Sequence, residues 1–162
     1  MTEKEFRERV LPLRKLMYGI GLRIGLSPDD AADAVQETQV RLWQSRASIP
    51  SDPPHLKPYC LAAFKNECIS LLRRARPKVP IDESPEIMAP DTDPVEYADT
   101  RQNIRRLIES LPEGQRQAVS LSSFGGMDNK EIAEAMGESD ANVRQLLSRG
   151  RRRLRQLFNK NL

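Results

Sequence analysis

The stretch that decides the fold is residues 130–158, KEIAEAMGESDANVRQLLSRGRRRLRQLF. Ile132, Ala133 and Met136 make a short amphipathic helix. Gly137 suits a left-handed stop, and Ser139 can cap a second helix. In that second helix Val143, Leu146, Leu147, Gly150, Leu154, Leu157 and Phe158 fall inside an arc of ~120° at ~100° per residue. Every arginine of the segment lies outside that arc. A short helix, a glycine turn and a second helix with one apolar face is the helix-turn-helix pattern. The start of its second helix enters the major groove. Asn142, Arg144, Gln145 and Ser148 lie there, off the apolar arc. Asn and Gln can hold adenine bidentately and Arg guanine, whereas Arg149, Arg152 and Arg155, further along, suit phosphates.

Charge supports this reading. After Asp140 there is no acidic residue, and the last 22 residues carry +7. Such a run is either a solvated helix face or a phosphate-binding surface that releases counterions on meeting nucleic acid. The whole chain of 162 residues has net charge +3, but unevenly: +4 over residues 1–76, −5 over 77–98 and +4 over 99–162. The middle stretch, PKVPIDESPEIMAPDTDPVEYA, holds five of the twelve prolines and reads as an extended linker. The expected fold is therefore all-α, with two small helical domains (1–76 and 99–162) joined by an acidic, Pro-rich linker.

The amino-terminal domain divides into three helices. Thr2 and Glu5 have capping-box spacing. Phe6, Val10, Leu13, Met17, Ile20 and Ile24 then form one stripe along a helix to about Arg23, with Pro12 the place for a bend. Ser27, Pro28, Asp29 and Asp30 mark a second start, for a helix running to about Ser45. Ala31, Val35, Thr38 and Leu42 cluster on one of its faces, while Ala32, Gln36 and Trp43 lie about 80–100° away. That second face either makes another contact within the domain or lets Gln36, Glu37 and Trp43 dock a partner protein. Residues 46–58, with four prolines, read as a rigid loop, and a third helix is expected over roughly 58–75. In the second domain, further helices are expected from Ile104 to Leu111 and from Glu113 to about Ser122.

Several chemistries are disfavoured. Cys60 and Cys68 on one helix lie about 12 Å apart, too far for a disulfide. One histidine, His55, and two separated cysteines make no zinc site, so no metal or cofactor is expected. Catalysis would have to rest on His55 in a proline-rich loop, so no enzyme is expected. No apolar run approaches the ~20 residues of a membrane span, and the start, MTEKEFRERV, has no signal-peptide pattern. A cytoplasmic protein without membrane insertion is expected.

Three stretches resemble a known family. Residues 30–43, DAADAVQETQVRLW, resemble the polymerase-docking helix of bacterial RNA polymerase sigma factors, which reads close to DAEDLVQETFLRLW. Residues 59–74, YCLAAFKNECISLLRR, resemble the next helix, commonly WLYRIARNLAIDLLRR. Residues 107–154 resemble the −35-reading domain, with its LPERQR and GLSYEEIAE stretches. Two domains and a short tether make the chain similar to the small extracytoplasmic-function group.

The resemblance implies core RNA polymerase, promoter DNA and an anti-sigma factor as partners. It implies that Asp33, Gln36, Glu37 and Trp43 lie on the docking surface for the polymerase. It also implies that Tyr59, Lys65, Asn66, Arg73 and Arg74 serve the −10 element, with the 46–58 loop cradling a flipped base. The chain departs from the family pattern at Tyr59 (usually Trp), Ser70 (Asp), Asn142 (Thr), Leu146 (Arg) and Gly150 (Ala). Leu146 lies in the apolar arc and reads as core. Two other readings stay open from the residues: a helix-turn-helix regulator that never joins polymerase, and a helical adaptor with solvated arginines.

Overall fold

The computed structural model describes residues 1–74 and 100–160; among them it holds α-helices and two short 3₁₀ turns, with no strand. The acidic segment 77–98 lies outside the described residues. Helix α1 (Glu3–Arg9) opens on a full capping box: Thr2 Oγ1 accepts from the Glu5 amide at 3.2 Å and Glu5 Oε2 from the Thr2 amide at 2.9 Å. The expected single bent helix is instead two, because Pro12 has no N–H to continue the ladder. The chain passes through a 3₁₀ turn, Leu11–Leu13, into α2 (Arg14–Arg23). The apolar stripe survives the break, with Phe6, Val10, Met17 and Ile24 all buried.

Helix α3 (Pro28–Gln44) starts where Ser27 Oγ accepts from the Asp30 amide at 3.1 Å. It buries Ala31, Ala34, Thr38 and Leu42 against α2 and the next long helix. Ala32, placed on a second apolar face by its spacing, is exposed, and Ala34 takes the inner position. The Thr38 hydroxyl satisfies itself by donating to the Ala34 carbonyl at 2.7 Å.

Helix α4 (Pro53–Arg74) begins five residues before the expected start. The Asp52 carbonyl accepts from the His55 and Leu56 amides at 3.1 and 3.2 Å, and the Asp52 carboxylate meets the His55 ring. Pro53 sits in the first turn, where a missing N–H costs nothing. Pro58 lies inside the helix, but Pro54 and Pro58 are both exposed, so water can serve the carbonyl left unpaired. The proline-rich loop thus shrinks to residues 49–52 after a 3₁₀ turn, Arg46–Ser48. Hydrogen bonding to His55 holds the Asp52 carboxyl below its usual range. The lone histidine is a group of the first helical turn.

Leu56, Cys60, Phe64, Cys68 and Leu72 form the buried stripe of α4, and both cysteines are free thiols. Burial, with Glu67 beside it, pushes the Cys68 thiol up to about 12. Thiolate is the reactive form, and the rise from 9.0 to about 12 lowers the reactive fraction by roughly a thousandfold at neutral pH. Iodoacetamide at neutral pH should leave Cys68 unmodified in the folded chain and alkylate it in denaturant. Mass spectrometry of the two samples reads the difference, and equal modification would contradict the burial.

The second unit contains α5 (Thr100–Glu109), α6 (Glu113–Ser123), α7 (Asn129–Met136) and α8 (Asp140–Lys160). Helix α7 opens on a second capping box: Asp128 Oδ1 accepts from the Glu131 amide at 2.8 Å and Glu131 Oε1 from the Asp128 amide at 3.1 Å. Gly137 closes it at φ 65°, ψ 35°, and Ser139 Oγ caps α8 by accepting from the Asn142 amide at 3.1 Å. Val143, Leu147 and Gly150 of α8 are buried against α6 and α7, but Phe158 is 45% exposed because the helix has outrun its partners.

Gly150 marks a close approach of α6 and α8. A Cβ there would lie 2.8 Å from Val119 Cγ2 and 3.4 Å from Gln115 Cβ. Gly150→Ala gains helix propensity of ~1 kcal/mol, but overpacking a filled crossing costs ~1–3 kcal/mol. The variant should be destabilised by about 1 kcal/mol in chemical denaturation, with Val119→Ala restoring part of the loss. A stabilised Gly150→Ala would show that the crossing has slack.

Candidate nucleic-acid interface and docking face

These elements build three surfaces. The first lies on α8. Arg144, Gln145, Ser148, Arg149 and Arg152 are off the buried face, as the helical spacing requires once Val143 and Leu147 point inward. Asn142 is half-buried, and its Nδ2 donates to Glu138 Oε2 at 3.2 Å, so its amide is already engaged within the turn. Arg144 and Ser148 share a shallow groove of about 290 Å³ with Asn129, Leu147, Arg151 and Arg155. The sequence reading gives Arg155 to phosphates and does not single out Arg151, although it carries the signal that joins them. Residues 144, 148, 151 and 155 recur at four, three and four, which is one helical stripe. Arg149 and Arg152 lie on the neighbouring stripe, with Arg152 about 180° from Val143. The groove thus carries three guanidinium groups and no acidic side chain, and it opens between the start of α7 and α8.

The second surface is the outer side of α4. Tyr59 is 36% exposed, and Asn66, Arg73 and Arg74 are exposed. Lys65 is turned inward, with its Nζ 3.0 Å from Glu131 Oε2. Arg73 Nη1 lies 2.6 Å from Glu134 Oε1. The structure therefore splits the expected −10 group: Tyr59, Asn66 and Arg74 face out, while Lys65 and Arg73 are tied to α7.

The third surface is on α3. Asp33, Gln36 and Glu37 are exposed beside Val40, a 46% exposed apolar side chain. Gln36, Gln39, Val40, Trp43 and Gln44 line one side of an apolar groove of about 400 Å³ whose other side is Glu3, Phe6, Arg7 and Leu11. Trp43 is half-buried, edge-on to Phe6 at 5.1 Å and covered by the Arg46 guanidinium at 4.0 Å. Trp43 thus makes a contact within its own domain and also lines the groove. Arg41, between the two helices, bonds Glu37 at 3.2 Å and approaches Glu67 of α4 at 3.4 Å. Glu67 is 5% exposed, with Arg74 at 3.8 Å on its other oxygen. A buried carboxylate is tolerable only when paired; Arg41 reaches it across from α3, whereas Arg74 approaches it from its own helix. Among the described residues no group of three or more His, Cys, Asp or Glu could hold a metal ion, and no helix is long and apolar enough to cross a membrane.

Comparison with known proteins bears on all three surfaces. The family described as Sigma-70 region 2 matches residues 10–78, and that described as Sigma-70, region 4 matches residues 101–154. The chain is 28% identical over 152 residues to the ECF RNA polymerase sigma factor SigE of Mycolicibacterium smegmatis, covering 90% of this chain and 58% of that protein. It is 25% identical over 135 residues to the ECF RNA polymerase sigma factor SigM of Bacillus subtilis, covering 82% of each. The chain thus spans under two thirds of SigE but most of SigM. Among solved structures, the sigma factor RpoE of Bartonella quintana, crystallised with the anti-sigma factor NepR, is similar in fold. Its TM-score is 0.51 at 23% identity, over 96% of this chain and 98% of that one.

Proposed function

The chain belongs to the sigma-70 family, in its extracytoplasmic-function group, and on that premise we propose that it binds core RNA polymerase and directs promoter recognition and transcription initiation. Residues 1–76 dock on polymerase and serve the −10 element, residues 99–162 read the −35 element, and 77–98 tether the two. Asp33, Gln36, Glu37 and Trp43, with Val40 beside them, form the docking face. Arg144, Gln145 and Ser148 reach base edges; Arg149 and Arg152 grip phosphates; Asn142 supports the turn through Glu138. Tyr59, Lys65, Asn66, Arg73 and Arg74 belong to the −10 surface. The chain acts by binding, without catalysis or cofactor of its own, in the cytoplasm. Its fold neighbour was crystallised with an anti-sigma factor, and an anti-sigma factor is proposed as a partner here as well.

The observation that carries this reading is the coexistence, in one chain, of an arginine-lined helix-turn-helix groove and a separate polar face around an exposed valine on α3. The first alone suits any DNA-binding regulator; the second has no use in one. Co-purification with core polymerase and then run-off transcription from a promoter tests it. Duplex binding without retention on core would instead indicate a helix-turn-helix regulator.

A further inference from the structure

We propose that Arg9 of α1 is a positioning residue for −10 recognition, gripping the Ser51 carbonyl so that the 49–52 loop stands ready to receive a flipped base. This rests on the reading of residues 46–58 as the loop that cradles that base. Arg9 Nη2 donates to the Ser51 carbonyl at 2.5 Å, across 42 positions of sequence.

One face of α1 holds the loop at both ends. At the entry, Arg46 Nη1 donates to the Trp43 carbonyl at 3.0 Å, and its guanidinium covers the Trp43 ring, which sits edge-on to Phe6. At the exit, Arg9 takes the Ser51 carbonyl. Phe6 and Arg9 are three residues apart on α1, hence neighbours on its surface. Between these holds Ile49 is buried, and the Asp52 carbonyl accepts from the His55 and Leu56 amides that open α4. Arg9 also acts past Ser51: the Asp52 carboxyl is lowered first by its hydrogen bond to His55 and, in smaller part, by the charge of Arg9.

Stability alone does not call for this bond. Ser51 and Asp52 are exposed, so water would satisfy the carbonyl if the arginine left, and an exposed polar contact contributes little. What the bond does is select a loop conformation. Pro50 fixes its own φ and restricts Ile49, and Pro53 restricts Asp52. Ser51 alone among the four loop residues has a backbone that no proline restrains, and its carbonyl is the group that Arg9 holds. Extracting a base from the stack is already costly, so a loop that must also be ordered at that moment would bind it poorly.

The test reconstitutes holoenzyme from core polymerase and the full chain carrying Arg9→Ala, Arg9→Lys or the control Lys4→Ala. Lys4 is exposed on the same helix, and its loss removes the same charge. Each holoenzyme is offered two promoter libraries, one randomised across the −10 element and one across the −35 element. In the free chains, hydrogen exchange reads the His55 and Leu56 amides, which the Asp52 carbonyl protects.

We expect Arg9→Ala to lower discrimination at one −10 position by roughly tenfold, as loss of a charge-assisted hydrogen bond implies, with the −35 ranking and retention on core unchanged. The two amides should exchange roughly tenfold faster in Arg9→Ala and at the parent rate in Lys4→Ala. Arg9→Lys keeps a donor and the charge, and should restore most of both properties. A parent-like −10 ranking in Arg9→Ala, or an equal loss of preference at both elements, overturns the proposal. Unchanged amide exchange overturns it as well. A parent chain with no promoter preference, alongside faster exchange in Arg9→Ala, sinks the sigma-factor reading and leaves Arg9 as the residue that fixes the loop.

Discussion

Val40→Asp combined with Glu37→Lys should abolish stable retention of the chain on core RNA polymerase while leaving its helices intact. Val40 is 46% exposed and Glu37 is exposed, so neither substitution empties the core. An apolar anchor in a docking groove contributes ~2–4 kcal/mol, and replacing it with a carboxylate adds the cost of burying an unpaired charge. The combined loss corresponds to roughly 100-fold or more in affinity. Trp43→Ala is a poorer probe, because it also removes the edge-on contact with Phe6 and the seat of Arg46. Titration of labelled core with parent and variant, alongside circular dichroism, checks the result. Equal affinity with normal folding would remove the docking role from α3.

Local signals in the sequence are the dependable ones. Thr2 with Glu5, Ser27, Gly137 and Ser139 each act within four residues, and each makes the cap its spacing implies. Asp128 with Glu131 has the same spacing and is easily overlooked beside the glycine pair that precedes it. The start of α4 is hidden for a physical reason: four prolines argue against helix, yet Pro53 falls in the first turn and Pro58 on the solvent side. The inner face of α3 is where the spacing puts it, with Ala31, Thr38 and Leu42 buried; Ala34, about 60° from Ala31 on that face, is the member the period also implies, while Ala32, about 100° away on the other side, is exposed. Period alone puts Phe158 in the core, but α8 extends beyond the helices that cover its earlier turns.

Long-range pairing lies beyond the sequence. Lys65 and Glu131 are 66 residues apart, and nothing in either neighbourhood marks them as partners. A lysine off the apolar stripe reads equally as solvated, as bound to DNA or as paired with a carboxylate elsewhere. Composition treats the carboxy-terminal arginines as one basic run; helical spacing divides it into faces, and the groove shows that the face of Arg144, Ser148, Arg151 and Arg155 is the one beside α7.

That division gives the second large effect. Arg144→Ala should change which −35 sequences are preferred, whereas Arg152→Ala should lower affinity for all of them without changing their order. Arg144 stands one turn into α8, about 100° from the buried Val143, and lines the groove beside α7. In a helix-turn-helix that position reaches base edges, and losing a bidentate base contact costs ~1–3 kcal/mol at one position of the site. Arg152 lies about 180° from Val143 and outside that groove, where phosphate is the available target. Its loss should reduce the slope of log affinity against log salt by roughly one, since one fewer counterion is released. Both variants keep Val143, Leu147 and Gly150 buried, so neither effect can be ascribed to unfolding. Selection over randomised duplexes, repeated at two salt concentrations, reads ranking and slope together. If Arg152→Ala reorders the preferences and Arg144→Ala only weakens them, α8 enters the groove by its other face, and the stripe of Arg144, Ser148, Arg151 and Arg155 is the one that holds phosphate.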